Sequence, residues 1–444
     1  MKKTLKNIAL AALIAAMALV MTGCMSRSAD EMYSLPQLQE RYIQLQNCIN
    51  EVLSSGAEYS APTSGSYRQA VQLIDLDSDG TDEAVAFFTR RGEDKPLKVY
   101  VFRKTGTGYE VAATIEGEGT SFDNIGFPDM NGDGVLEIAL GWKLTVDVNM
   151  LSVYAMNGYT PASVISTDYQ EYTITQLSGR DDIAVIRLSG AELTGEVEHY
   201  TMTRDGEVES TSARLSTGID ALLRIRQTVL SGGENAILIE ETTGGNNVTT
   251  DILAYRDEHI TNITRDETSG ISSDTTRAYA AYCRDINGDG ALDVPNPVPL
   301  ATQSESASYY VLEWYTYSIN GKRRLVETTY NNYSDGWYMT LPGEWSGNMT
   351  VRRADTVGGE RIIVFSEMEG DEIGRDFLAI YTLSGDNRYE RVKAGNRFVL
   401  KEEDSVIYAA EILSDVTGAK TKLTEDEVRS NFDIIYSEWI TGDI

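Results

Sequence analysis

One nine-residue acidic pattern occurs three times in the sequence and constrains the fold more than any other feature. Residues 75–83 read Asp-Leu-Asp-Ser-Asp-Gly-Thr-Asp-Glu, residues 129–137 read Asp-Met-Asn-Gly-Asp-Gly-Val-Leu-Glu, and residues 285–293 read Asp-Ile-Asn-Gly-Asp-Gly-Ala-Leu-Asp. Each copy has oxygen-bearing side chains at positions 1, 3, 5 and 9 and a glycine at position 6. Such alternation, with a backbone carbonyl at position 7, can supply most of the oxygens that Ca²⁺ needs. The sequence therefore predicts three Ca²⁺ sites.

An EF-hand shares the opening of this pattern, but it also needs a bidentate Glu at position 12 and a helix on each side. Position 12 is Ala86, Leu140 or Asn296 in the three copies, so that ligand is absent. Short apolar runs precede and follow the first copy, at residues 71–74 and 83–88. Such runs are typical of buried strands. We therefore expect strand–loop–strand sites.

The N-terminus has the features of an export signal. Three lysines among the first six residues precede an apolar run, 8–20, which is too short for an ordinary membrane span. The boundary at Gly23-Cys24 resembles a bacterial lipobox. We predict a signal peptide over 1–23, lipidation of Cys24, a tether over 24–34, and anchoring to the outer face of the bacterial cell membrane. An ordinary secreted protein with a stray cysteine is the alternative.

The charge balance restricts the partners. The chain has 68 acidic and 38 basic residues and a formal net charge of −30. A field of this sign argues against binding to nucleic acid or to an anionic membrane surface. Only two cysteines accompany Cys24, so no disulfide framework supports the fold. A bond between Cys48 and Cys283 is possible, although two buried free thiols are favoured.

Residues 35–66 combine a predicted helix with a linker. Apolar side chains recur at helical spacing up to residue 53, which predicts an amphipathic helix. We expect its apolar face to dock on the body of the protein; binding a partner is the alternative. The residues of this face are Leu38, Tyr42, Leu45, Ile49 and Val52.

From residue 67 to residue 413 the pattern is that of β-structure. Runs of alternating apolar residues end in turn signals such as Asn-Gly and Asp-Gly, which are typical of hairpins. The recurrence of this unit predicts an all-β protein, a β-propeller of about six to seven four-stranded blades. Residues 397–413 add one more hairpin. The six turns are at 106–108, 157–158, 205–206, 257–258, 320–321 and 385–386.

Three of the six units lack the acidic pattern. We expect their corresponding loops, at 176–182, 240–247 and 355–360, to hold no cation. The C-terminal segment, 414–444, is predicted to form a helical cap. It starts with a capping box at Thr424–Glu427. Its expected apolar face contains Val428, Phe432, Ile435 and Trp439.

The loop pattern between two short strands resembles the FG-GAP/VCBS repeat family, the propeller repeats of the integrin α-subunit head, and the chain resembles a bacterial lipoprotein of the VCBS-repeat type. The resemblance implies that the cations brace the blades and that variable loops bind ligands. It also implies a carbonyl ligand from Thr81, Val135 and Ala291. The implied side-chain ligands are Asp75, Asp77, Asp79, Glu83, Asp129, Asn131, Asp133, Glu137, Asp285, Asn287, Asp289 and Asp293.

No catalytic motif accompanies these loops. The two histidines, His199 and His259, are expected on strand surfaces. An aromatic run over 309–345 either fills the core, which is favoured, or forms a binding platform. We therefore expect a non-enzymatic surface module that binds or scaffolds an unknown protein or polysaccharide. A glycan hydrolase or lyase is the alternative, and it requires a pocket with two carboxylates outside the metal loops.

Overall fold

The structure of the protein is a computed structural model. It describes residues 40–106, 108–190, 193–278, 280–302, 308–345, 347–356, 360–413 and 423–436. The predictions for the signal peptide, Cys24, the tether, Leu38 and Trp439 lie outside these residues. Among the described residues, no helix has the length and apolar character needed to span a membrane.

The described strands form six antiparallel sheets of four or five strands. Sheet one contains β1 (Glu58–Tyr59), β2 (Val71–Ile74), β3 (Glu83–Thr89), β4 (Leu97–Thr105) and β5 (Gly108–Gly117). Sheet two contains β6 (Ser121–Gly126), β7 (Ile138–Lys143), β8 (Asn149–Asn157) and β9 (Thr160–Tyr169). Sheet three contains β10 (Glu171–Thr175), β11 (Asp182–Ser189), β12 (Thr194–Met202) and β13 (Val208–Thr217).

The second half of the chain continues the same plan. Sheet four contains β14 (Ile219–Val229), β15 (Asn235–Thr243), β16 (Asn247–Arg256) and β17 (His259–Asn262). Sheet five contains β18 (Val294–Pro299), β19 (Tyr310–Tyr317), β20 (Arg323–Asn332), β21 (Trp337–Thr340) and β27 (Phe432–Ile434). Sheet six contains β22 (Met349–Arg353), β23 (Arg361–Glu369), β24 (Glu372–Ser384), β25 (Phe398–Glu402) and β26 (Val406–Ile412). Short 3-10 turns occur at Ser273–Thr275 and Gly343–Trp345.

Consecutive sheets pack face to face through apolar side chains. Strands β3, β7 and β11 are buried on both faces, which is why each contains a continuous apolar run and not an alternating one. Residues 84–88 of β3 are fully buried in this way. The core side chains between neighbouring sheets include Phe87 and Trp142 (sheets one and two), Leu151 and Val185 (two and three), Ile186 and Ile239 (three and four), Leu238 and Val294 (four and five), and Trp337 and Phe365 (five and six).

The predicted amphipathic helix is α1 (Glu40–Ser54). Its buried residues Leu45, Ile49 and Val52 pack on the face of sheet one that carries Ala84 and Phe88. The docking face predicted for these residues is therefore confirmed.

Sheet six departs from the predicted hairpin at 385–386. A short helix, α2 (Arg388–Arg391), and β25 follow β24, and β24 pairs with β23 on one edge and with β26 on the other. The expected last hairpin at 397–413 is present as β25 and β26, but it extends sheet six. The described residues thus contain six sheets and no separate seventh.

The C-terminal segment is only partly helical. Helix α3 (Glu425–Asn431) begins with the predicted capping box, in which the Glu427 amide donates to Thr424 Oγ1. The prediction that Phe432 continues this helix is wrong. Phe432 begins β27, which pairs with the otherwise open edge of β21.

The aromatic run over 309–345 mostly fills the core. Trp314, Trp337 and Trp345 are fully buried, as are Tyr317 and Tyr330. This is the favoured interpretation of the run. The surface position predicted for His199 is wrong, because its side chain is completely buried between sheets three and four.

The two described cysteines are free. Cys283 is buried, whereas Cys48 is half-buried and donates its thiol to the carbonyl oxygen of Tyr109 at 3.0 Å. Burial raises the pKa of both thiols above the usual range. Cys48 packs against sheet one and Cys283 lies between sheets four and five, so the two thiols do not form a disulfide.

Candidate metal centres

The three acidic copies occupy equivalent places in three sheets. Loop one (75–83) joins β2 to β3, and loop two (129–137) joins β6 to β7. Loop three (285–293) leads into β18 and is closed by an antiparallel bridge between Arg284 and Asp293. Each loop therefore lies directly before a strand, β3, β7 or β18, and this end of the sheets is called the metal-loop end below.

Two positions in each loop have a left-handed backbone. Position 6 is Gly80, Gly134 or Gly290, with φ of 84°, 86° and 87°. Position 4 is Gly in loops two and three but Ser78 in loop one, where φ is 56°. An L-residue adopts this region at a cost of roughly 1–2 kcal/mol. The sharp turn at both positions lets the odd-numbered side chains converge.

The side chain at position 1 holds the turn from inside. In loop two the Asp129 carboxylate accepts hydrogen bonds from the amides of Gly132, Asp133 and Gly134 at 2.8, 3.2 and 3.1 Å. Asp285 accepts the equivalent three bonds in loop three. Asp75 accepts two in loop one. The three loops thus share one hydrogen-bond scheme.

The position-5 carboxylate accepts the amide of position 7 in all three loops. Asp79 accepts from Thr81 at 2.7 Å, and the equivalent distances in loops two and three are 2.8 and 2.9 Å. This bond fixes the peptide whose carbonyl is the predicted backbone ligand. The other position-5 and position-7 residues are Asp133, Val135, Asp289 and Ala291.

The position-9 carboxylate is buried in every loop. Glu83 and Glu137 accept the backbone amide of position 2 at 3.0 and 2.8 Å. Asp293 is one methylene shorter, its equivalent distance is 3.5 Å, and its Oδ1 has no hydrogen-bond partner among the described residues. Burial raises the pKa of Glu137 and of Asp293 to about 7, and it also raises that of Glu83. A bound cation would favour the ionised forms.

The residue at position 3 distinguishes loop one from the other two loops. In loops two and three the amide Nδ2 of Asn131 or Asn287 donates to the position-5 aspartate at 3.0 or 2.9 Å. In loop one Asp77 cannot donate. Its Oδ2 accepts the hydroxyl of Tyr159 at 2.8 Å, and its Oδ1 is buried with no hydrogen-bond partner in the described part of the chain. Loop one therefore has the greatest need of an added positive charge.

Loop one also assembles its carboxylates most closely. Oxygens of Asp75, Asp77 and Glu83 all lie within 4.8 Å of one another. Oxygens on opposite sides of a Ca²⁺ ion are about 4.6–5.2 Å apart, so the spacing fits that ion. In the described part of the chain, loops two and three do not bring three acidic side chains so close. The residues of loop one could therefore hold a metal ion as they stand.

An open cleft of about 480 Å³ lies beside loop one. Its walls include the loop residues Asp77 and Glu83 and, from the end of β4, Arg103 and Lys104. Arg103 also lies over the ring of Tyr159, 5.3 Å from its centroid. The metal position of loop one is thus reachable from solvent.

Neighbouring loops at the metal-loop end are hydrogen-bonded to each other. The Leu136 amide in loop two donates to the Leu76 carbonyl in loop one at 2.8 Å. On its other side, loop two accepts Arg180 at the carbonyl of Asn131, at 3.0 Å, and its Asp129 amide donates to Asp181. The loops of sheets one, two and three therefore form a continuous row.

Of the three loops that were expected to lack a cation, two lie at the predicted positions. Those at 176–182 and 355–360 do join first to second strands. The assignment of 240–247 is wrong, since these residues are the end of β15, the turn at 244–246 and the start of β16. The equivalent loop is 230–234. Glu240 sits in the strand because its buried carboxylate pairs with the buried guanidinium of Arg277 at 2.7 Å.

In sheet three, a buried pair of side chains occupies the place that the position-9 carboxylate has in sheets one, two and five. Asp182 begins β11, accepts the Ser178 amide, and lies 3.0 Å from Nε2 of His199. Both side chains are fully buried. The sequence did not predict this pair, because the two residues lie on different strands. The only sign of it in the sequence is a histidine within an apolar strand.

Comparison with known proteins agrees with this description at the level of the repeat. Residues 75–140, which contain loops one and two, match the family model of the FG-GAP-like repeat. No curated protein matches the chain. Among solved structures, the crystal structure of rhamnogalacturonan lyase YesW resembles the chain with a TM-score of 0.29 and 12% identity, over 71% of each chain. The class of protein is thus an all-β protein of antiparallel sheets with an FG-GAP-like repeat.

Proposed function

We propose that the chain is an exported, lipid-anchored binding or scaffolding module, a β-propeller whose three acidic loops bind Ca²⁺. The observation that carries the calcium part is the cluster of Asp75, Asp77 and Glu83, in which Asp77 Oδ1 has no hydrogen-bond partner among the residues that the structure describes. Two carboxylates about 5 Å apart repel by about 3 kcal/mol at an effective dielectric of ~20. A divalent cation reverses the sign of that interaction.

Loops two and three are proposed as weaker sites of the same kind. They share the hydrogen-bond scheme of loop one, and Asp293 Oδ1 is a buried oxygen without a partner in loop three. Their Asn residues neutralise part of the local charge by donating to the position-5 aspartates. Small rotations of the position-5 and position-9 carboxylates would complete the oxygen shell around an ion.

The proposed role of the ions is structural. Loops one and two are in direct backbone contact, and loop two contacts the loop of sheet three. An ion in either loop therefore fixes a junction between neighbouring sheets. The proposed ring arrangement of the six sheets as propeller blades is consistent with their sequential face-to-face packing.

Export and anchoring rest on the sequence of the first 24 residues. A Cys24→Ser variant should be released into the medium or remain unprocessed, whereas the wild-type chain should be processed and fractionate with membranes. Globomycin-type inhibition of lipoprotein processing is the matched chemical control. A variant that stays membrane-bound and is processed normally would contradict the lipid anchor.

The exposure of the carboxylates outside the metal loops favours a binding role over catalysis. Asp168 and Glu196 line one cleft together, as the glycan hydrolase or lyase alternative requires. Both side chains are exposed, however, and a general acid needs the burial that raises its pKa. The proposed ligand is a protein or a polysaccharide, and nucleic acid is not proposed as a partner.

The full chain in Ca²⁺ buffer can be run through native gels that contain individual cell-wall and capsular polysaccharides. The proposal predicts retardation by at least one polysaccharide, with no new reducing ends and no unsaturated product. Bovine albumin is the non-binding control. Steady release of new ends by the purified chain would favour the glycan-active alternative instead.

A further inference from the structure

A second cleft lies away from the metal loops and has a different charge. It has a volume of about 480 Å³ and is bordered by the ends of β11 and β13, the start of β12, and the segment that follows β17. Three arginines, Arg187, Arg214 and Arg265, line it together. This convergence occurs in a chain with 68 acidic and only 38 basic residues.

The cleft opens at the end of sheet three opposite to the metal-loop end. Strand β11 starts at Asp182, beside the loop at 176–181, and ends at Ser189, which lines the cleft. Seven residue steps along a strand correspond to about 23 Å. A ligand in this cleft would therefore leave the cations untouched.

Arg187 is held in place by its neighbours. Its Nη2 lies 2.8 Å from a carboxylate oxygen of Glu198, and its Nε donates to the carbonyl oxygen of Asp168 at 3.0 Å. The Nε–carboxylate distance to Asp168 is longer, at 3.6 Å. This fixed guanidinium forms one wall of the cleft.

Arg265 is oriented by the backbone. Its Nε donates to the carbonyl oxygen of Leu215 at 3.1 Å. Its Nη2 lies so close to Gly270 that a Cβ there would be 2.9 Å away. Within the described residues, no carboxylate lies within 4.0 Å of the guanidinium of Arg265 or of Arg214. Arg214 is exposed, and Glu196 faces it across β12 and β13 without forming an ion pair.

We propose that this cleft binds the carboxylate of an acidic glycan, a saccharide that contains uronate residues. Guanidinium groups match the planar geometry of a carboxylate and hold it with paired hydrogen bonds. The remaining lining is polar and includes the side chains of Ser189, Thr194 and Thr217, which suit sugar hydroxyls. A peptide segment would need a larger apolar or aromatic surface, and the apolar lining is limited to Leu188 and Leu215.

This assignment rests on the proposed binding function and gives it a ligand class. Its volume lies in the range of about 300–1,000 Å³ found for small-molecule sites, so a short stretch of the polymer would occupy it. The exposed Asp168 and Glu196 would then accept hydrogen bonds from sugar hydroxyls.

The test is a titration of the full chain, in Ca²⁺ buffer, with a β-1,4-linked triglucuronate. Cellotriose is the matched neutral saccharide, since it differs only at the carboxylates, and triglutamate is the matched acidic peptide. Wild type should bind triglucuronate at least tenfold more tightly than either control. One charge-assisted hydrogen bond supports a change of about tenfold in affinity. The double variant Arg214→Gln/Arg265→Gln should therefore lose at least tenfold.

Two further variants keep the result interpretable. Arg204→Gln removes an exposed arginine at the metal-loop end and should leave the affinity unchanged. Arg265→Lys keeps the charge without the planar fork and should lose less affinity than Arg265→Gln. A melting temperature within a few degrees of wild type shows that each variant is folded.

Three outcomes would overturn the inference. The first is equal binding of cellotriose and triglucuronate, which leaves glycan binding intact but removes the role of the arginines. The second is an unchanged affinity in the double variant, which places the acidic glycan elsewhere on the chain. The third is tighter binding of triglutamate, which makes an acidic peptide the ligand. The polysaccharide gels described above test the broader binding function independently of all three.

Discussion

The hydroxyl of Ser78 donates a hydrogen bond of 2.6 Å to the carbonyl oxygen of Gly134, and this bond joins loop one to loop two. Ser78 occupies position 4 of its loop, where the other two loops have glycine. Ser78 thus adopts a left-handed conformation that glycine would adopt with less strain. Its side chain contacts the neighbouring sheet. The first-to-second-strand loops stabilise each other as well as their own sheets.

Substitution of Ser78 should separate the strain from the hydrogen bond. Ser78→Ala keeps the positive φ and loses the bond, so the free energy of unfolding should fall by about 1 kcal/mol. Ser78→Gly loses the same bond but relieves the backbone, so it should be more stable than Ser78→Ala by about 1 kcal/mol. Denaturant unfolding in Ca²⁺ buffer measures both. A glycine variant less stable than the alanine variant would contradict this account.

Exchanging the position-3 residues should exchange the dependence of two loops on the cation. Asp77→Asn gives loop one the amide donor of loop two and so weakens its Ca²⁺ site. The loss of melting temperature caused by chelation should therefore shrink, by at most about a third. Asn131→Asp should enlarge that loss, because loop two then contains two facing carboxylates. Asp133→Ala and Asp289→Ala should each remove part of the Ca²⁺ effect. Equal chelator sensitivity in all four variants and wild type would contradict the assignment.

Glu241 should make stability fall as the pH rises. Its side chain is fully buried, and burial, assisted by the nearby charge of Asp251, raises its pKa to about 10. Between about pH 4.5 and 10 the unfolded state is ionised while the folded state stays protonated, so protons favour folding. Glu241→Gln removes this linkage. It should match wild type at pH 4 and become more stable by about 1–3 kcal/mol at pH 7.

The neighbouring residue provides the control of opposite sign. Glu240 is equally buried, but it forms an ion pair with Arg277. Glu240→Gln leaves a buried guanidinium without its counter-ion, so it should destabilise the fold by about 3–5 kcal/mol. Thermal melts of both variants across this pH range decide the matter. A destabilising Glu241→Gln at pH 7 would show that Glu241 is ionised in the folded state.

The sequence predicted those parts of the fold that local chemistry determines. The three acidic loops, five of the six hairpin turns and the capping box of α3 all lie within fewer than a dozen consecutive residues. Their geometry depends on turn glycines and on side chains that bond to the adjacent backbone. The apolar stripe of α1 was also readable, because helical spacing alone identifies a docking face.

The parts that could not be predicted depend on distant partners. Glu240 resembles a loop residue until Arg277, which lies 37 positions later, neutralises it in the core. His199 has no local signal of its buried contact with Asp182. The C-terminal Phe432 fits a helical stripe, and only the open edge of β21 makes it a strand residue. The three arginines of the second cleft come from three separate segments of the chain, so no local sequence motif predicts the cleft.

The central claim is that cations at the acidic loops hold the sheets together, and the most direct test is a melting curve of the full chain with Ca²⁺ and with chelator, alongside metal analysis. Extracellular sites often have Kd ~10⁻⁴–10⁻³ M, so ~1 mM Ca²⁺ should stabilise each site by roughly 0.4–1.4 kcal/mol. We predict about three bound Ca²⁺ per chain. The melting temperature should fall by several degrees on chelation, and Mg²⁺ should restore it poorly. A melting curve unchanged by chelator, on protein shown to be metal-free, would contradict the claim.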